Sequence, residues 1–94
     1  MQLVGLIKLD VFKKSHADSR GPLNAWQAEV QIAQWSGPQD VKNRYPSANF
    51  LADNWVIFNI KGNTYRLAVQ ARYQNGIMLI EWVGTHADYD KLKL

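Results

Sequence analysis

The chain has 94 residues, 47% hydrophobic and 20% charged, with a formal net charge of +3. At this length one domain with one modest core is expected, burying roughly 60–65% of the surface the unfolded chain exposes. There is no cysteine, which excludes disulfides and thiolate metal sites, and the mild basic excess leans toward anionic partners without naming one.

The chain opens on Gln2-Leu3-Val4-Gly5-Leu6, a short apolar run that reads as an edge or first strand. No basic segment precedes it and no small-residue cleavage site follows, so no secretory signal is expected. No apolar run approaches the ~20 residues of a membrane helix. The expectation is a soluble, cytoplasmic single domain over residues 1–94. Lys8 to Ala17 reads as a helix with Leu9, Phe12 and the stem of Lys13 on one side. Asp18-Ser19-Arg20-Gly21-Pro22 breaks it, and Pro22 suits the first turn of a second helix. Leu23, Trp26, Val30 and Ala33 recur at three- and four-residue spacing, one apolar stripe running from Leu23 to Trp35. Ser36-Gly37-Pro38 stops that helix, and Ser36 is placed to cap a short third one with Asp40 in its first turn.

After Asp53-Asn54 the period changes to two. Trp55 to Ile60 is apolar on both faces, as in a central strand. Lys61-Gly62-Asn63 has turn chemistry. From Thr64 to Tyr73 the alternation is clean: Tyr65, Leu67, Val69, Ala71 and Tyr73 share one face; Thr64, Arg66, Ala68, Gln70 and Arg72 share the other. Asn75-Gly76 predicts a hairpin through a type I′ turn. Ile77 to Thr85 is the last strand, and Ala87 to Leu94 suggests a closing helical turn. The pattern is α+β, with an N-terminal helical pair packed on one face of an antiparallel sheet.

Few residues are placed for chemistry. Arg66 and Arg72 have the same strand parity, so both project from one sheet face. There they are either solvated charges or planar forks for two backbone phosphates. His86 follows the last strand, and an imidazole in such a place serves as acid or base, or is merely exposed. Tyr89 and Asp90 lie three and four residues further on, so a helical turn returns them to the side of His86. Asp90 then orients the imidazole or pairs with a nearby lysine; Tyr89 stacks on a base, bonds a phosphate, or closes the core. His16 beside Lys13 and Lys14 suits a helix C-terminus. The spacing of the two histidines supports no metal site, and no cofactor is expected. There is no phosphate-binding glycine loop, nucleophile elbow or dinucleotide fingerprint.

The segment Val56-Ile57-Phe58-Asn59-Ile60-Lys61-Gly62-Asn63-Thr64-Tyr65-Arg66-Leu67, together with Thr85-His86-Ala87-Asp88-Tyr89-Asp90, resembles the HigB-type toxins of the RelE superfamily. Ala25-Trp26, Ala33-Gln34-Trp35 and Asp40-Val41-Lys42 leading to Tyr45-Pro46-Ser47-Ala48 add to the resemblance. It implies a RelE-like α+β fold. It also implies a metal-independent endoribonuclease that cuts messenger RNA, usually on the translating ribosome. The partner it implies is a helix-turn-helix antitoxin of the HigA type, bound in a toxin–antitoxin hetero-oligomer. By position, Arg66, His86, Tyr89 and Asp90 are the catalytic set. Arg72, Lys61, Asn59 and Lys91 complete the expected RNA contacts. One departure stands out: some RelE-type toxins carry lysines on the strand before the arginine strand, where this chain has Ile57 and Asn59. A non-catalytic RNA- or protein-binding module on the same fold is the alternative.

Overall fold

In the computed structural model, which describes residues 1–92, the chain runs β1 (Gln2–Val4), α1 (Leu6–Ser15), α2 (Arg20–Ile32), α3 (Pro38–Arg44), β2 (Asn49–Leu51), β3 (Trp55–Ile60), β4 (Tyr65–Arg72), β5 (Ile77–Thr85) and α4 (His86–Asp90). The strands form one sheet in the order β1-β5-β4-β3-β2. β2 to β5 are antiparallel neighbours, while β1 joins β5 in parallel, pairing Leu3 with Met78. The sheet is therefore mixed, not purely antiparallel. The middle place belongs to β4; β3, apolar on both faces, is an internal strand one position off centre.

Strand alternation decides the two faces. Val56, Phe58 and Ile60 of β3, Leu67, Val69 and Ala71 of β4, and Met78 and Ile80 of β5 are buried on the helix side. Leu23, Trp26 and Val30 of α2, Leu9 and Phe12 of α1, and Val41 of α3 pack onto them. Each such Val, Leu, Ile, Phe or Met side chain contributes about 1.5–3 kcal/mol by leaving water. Direct cross-strand partners point to the same side, so the opposite face carries three rows read from the register: Asn59, Arg66 and Gly84; Ile57, Ala68 and Trp82; Trp55, Gln70 and Leu79. A bulge between Ala68 and Val69 inserts Glu81 into β5 and keeps both faces in phase.

Several boundaries differ from the sequence reading. α1 starts at Leu6, because Gly5 (φ +93°) turns the chain tightly there, its Cα facing the Ile80 carbonyl. α2 ends at Ile32 with Ala33 extended, and Trp35 packs instead against Tyr45 at 6.1 Å. Ser36 does not cap α3 with its side chain. Its amide and hydroxyl donate to Asp40 Oδ2 at 2.9 and 3.0 Å, which holds the Asp40 carboxyl below the usual range. The β4–β5 connection is a 3₁₀ turn, Tyr73–Asn75, closed by Gly76 at φ +67°. Consecutive positive-φ residues occur instead at Asp53 and Asn54, between β2 and β3, and at Lys61 and Gly62, between β3 and β4. Residues 93 and 94 of the expected closing turn lie outside the described residues.

Candidate functional site

Arg66 stands on β4 between Asn59 of β3 and Gly84 of β5. It is not a solvated arginine on an open face: only 8% of it is exposed. Its guanidinium donates to the Asn63 carbonyl at 3.4 Å, the Tyr65 carbonyl at 3.3 Å and Asn63 Oδ1 at 3.5 Å. All three bonds exceed the usual N–H···O length of about 2.9–3.0 Å. Among the described residues no carboxylate pairs with it. A guanidinium has five N–H donors, so Arg66 is a buried cation held by weak neutral acceptors. Such a group is costly until an anion arrives. Beside it, Asn59 donates to the Ser47 carbonyl at 3.4 Å, and its Oδ1 is buried without a partner. Ser47, Asn59, Gly62 and Asn63 line a depression of about 370 Å³ there.

The second part of the site is α4. Thr85 caps it by accepting the Asp88 amide at 3.1 Å. The His86 amide donates to the Thr64 carbonyl at 3.2 Å, fastening α4 to the start of β4. His86 Nδ1 lies 3.0 Å from Asp90 Oδ2, one helical turn on. A carboxylate on Nδ1 fixes the ring and leaves Nε2 for another partner. Tyr89 rests against the Trp82 indole, centroids 6.0 Å apart. Because Tyr65 pairs with Thr85 and Arg66 with Gly84, the residues of α4 and Arg66 occupy one end of the sheet.

The other expected contacts are not gathered there. Arg72 shares the parity of Arg66 but pairs with Ile77 at the far end of β4, roughly 20 Å along the strand. It is exposed and, among the described residues, bonds only Gln70 Oε1, at 3.4 Å. Lys61 turns to the helix side, pairing with Asp18 at 2.6 Å. Asp18 also accepts the Tyr65 hydroxyl at 2.5 Å. Lys91 is exposed just beyond α4. Ile57, fully buried, and Asn59 fill the β3 places where lysines were looked for. Sequence reasoning left Asn63, Trp82 and Gly84 out of the candidate site. Only Gly84 gave a signal, since glycine inside a strand marks a close approach.

The profile of one family, described as the RelE-like toxic component of a toxin–antitoxin system, matches residues 19–92. The chain belongs to the HigB toxin family. The match takes in β2 to β5 and α2 to α4, and so every residue of the site just described. Residues 1–18, with β1 and α1, precede it. No individually curated protein matches the chain. A toxin of this kind has an antitoxin as partner. Among the described residues no helix of the toxin is long and apolar enough to cross a membrane.

Proposed function

We propose that the toxin is a cytoplasmic endoribonuclease, acting as one domain, that cuts messenger RNA on the translating ribosome and thereby stops translation. The observation that carries this is Arg66: a buried cation without a carboxylate, at the sheet end that also holds an aspartate-oriented histidine. The 2′-hydroxyl of the RNA attacks its own phosphorus and loses its proton to solvent. The bond to the 5′-oxygen breaks, leaving a 2′,3′-cyclic phosphate and a free 5′-hydroxyl. Arg66 stabilises charge on the non-bridging oxygens as it builds. His86 gives the proton of Nε2 to the departing 5′-oxygen, and Asp90 steadies the resulting ring. Tyr89 orients a base. Water takes the first proton and side chains of the chain serve the remaining steps, so this reading calls for no metal ion. A helix-turn-helix antitoxin of the HigA type neutralises the toxin in a hetero-oligomer.

The absence of lysines at Ile57 and Asn59 favours one other reading, a binding module that does not cut. Induction in a bacterial host separates the two. The toxin is expressed with and without its neighbouring antitoxin gene, beside an Arg66→Ala/His86→Ala variant, and messenger RNA 5′ ends are mapped. Growth arrest with cuts inside translated regions, suppressed by the neighbour and lost in the variant, supports the nuclease. A folded, expressed toxin that neither arrests growth nor yields cuts would be the binding module.

A further inference from the structure

Trp82 is out of place as a core residue. It lies on the face away from α1, α2 and α3, in the row of Ile57 and Ala68, and is half-buried. Its indole does not stand up from the sheet. It lies along β5 over Gly84: a Cβ on Gly84 would meet Trp82 Cζ2 at 2.4 Å and Cη2 at 2.5 Å. Gly84 has no positive φ, so the glycine serves the ring and not the backbone. Gly84 is the direct cross-strand partner of Arg66, and direct partners sit about 4.5–5.5 Å apart. The benzo edge of Trp82 therefore reaches the row of Arg66. Tyr89, at 6.0 Å and 47°, braces the indole from α4.

We propose that Trp82 is a positioning residue, a flat platform that stacks the nucleobase next to the phosphate held by Arg66. This rests on the nuclease reading above. A flat ring in the row next to a buried cation suits a base beside its own phosphate, and stacking tolerates any base. Gly84 keeps the platform flat, and Tyr89 keeps it from swinging away.

The test uses bacterial ribosomes programmed with a synthetic message in which single nucleotides around the cut are made abasic. Wild-type toxin should lose about tenfold in cleavage rate at one abasic position, the size typical of a stacked base. Trp82→Ala should lose about as much on the intact message and nothing further at that position, while Trp82→Phe recovers most of the wild-type rate. Gly84→Ala, which keeps the indole but lifts it, should behave as Trp82→Ala. Melting temperatures confirm that each variant is folded. An equal abasic penalty in wild type and in Trp82→Ala would overturn the platform and leave the nuclease standing. A wild type that does not cut programmed ribosomes overturns both. Failure of Trp82→Phe to recover the rate with the fold intact also counts against stacking.

Discussion

At the scale of single residues, Arg66 presents a conflict between fold and function. It has lost most of its water and gained only three long bonds to neutral oxygens. Arg66→Met keeps an apolar stem of similar length and removes the uncompensated charge. Its melting temperature should therefore hold or rise, with stability gained on the order of 1 kcal/mol. Its cleavage rate should fall roughly 10²–10³-fold, as when a transition-state donor is removed. Thermal unfolding and a ribosome cleavage assay measure the two halves separately. A loss of stability above about 2 kcal/mol would show instead that the guanidinium holds the Asn63 turn. His86 poses no such conflict: its side chain is 45% exposed and its partner Asp90 lies on the same short helix.

At the scale of elements, two straps fix the helices: one ties α2 to α3, the other ties the turn before α2 to the sheet. Glu29 of α2 accepts the Tyr45 hydroxyl at 2.6 Å and pairs with Arg44 of α3. The Tyr45 bond, with Arg44, draws the Glu29 carboxyl below its usual range. Burial, aided by Glu29, raises the Tyr45 phenol. The second strap joins the turn before α2 to the β3–β4 turn, where bonds from Lys61 and then Tyr65 lower Asp18. A carboxylate whose folded value is depressed stabilises above its unfolded value, and that contribution fades as pH falls through the folded one. Melting curves should therefore show wild type losing stability below about pH 4 more steeply than Asp18→Asn, with the two variants differing most near neutrality. Parallel curves down to about pH 2.5 would remove the strap from the account. None of this long-range pairing was legible in the sequence, because Asp18 and Lys61 are 43 residues apart. What the sequence showed well was local: the α2 stripe, the alternation of β4, and the Thr85–Asp90 turn. Elsewhere backbone geometry decided against the pattern: Gly5 moved the start of α1, and Gly76 closed a 3₁₀ turn in place of a type I′ turn. The parity of Arg66 and Arg72 was right, but parity carries no distance. The burial of Arg66 depends on neighbouring strands, which no single-strand pattern reports.

At the scale of the whole molecule, a net charge of +3 is modest, and much of the positive charge is committed elsewhere. Arg44 pairs with Glu29 and Lys61 with Asp18, and Lys42 donates to the Ala48 carbonyl at 3.0 Å. Arg72 sits at the far end of β4. Among the described residues that leaves, on the face of Arg66, Arg66 itself, with Lys91 beyond α4. Two or three phosphate contacts give weak binding to free RNA, so placing the scissile phosphate falls to the ribosome, whose fixed geometry supplies what charge does not. This sets a number. For single strands the logarithm of affinity falls with the logarithm of salt by about 0.7 per neutralised phosphate, so the slope should lie between about −1 and −2. Fluorescence anisotropy of a labelled RNA with blocked 2′-hydroxyls, over about 50–300 mM salt, reads it directly. Arg72→Ala should leave the slope unchanged, because that residue stands too far away to share the bound strand. A slope steeper than about −4, or one that flattens in Arg72→Ala, would mean that the RNA runs the length of the sheet, and that the sequence-level pairing of the two arginines was the better guide.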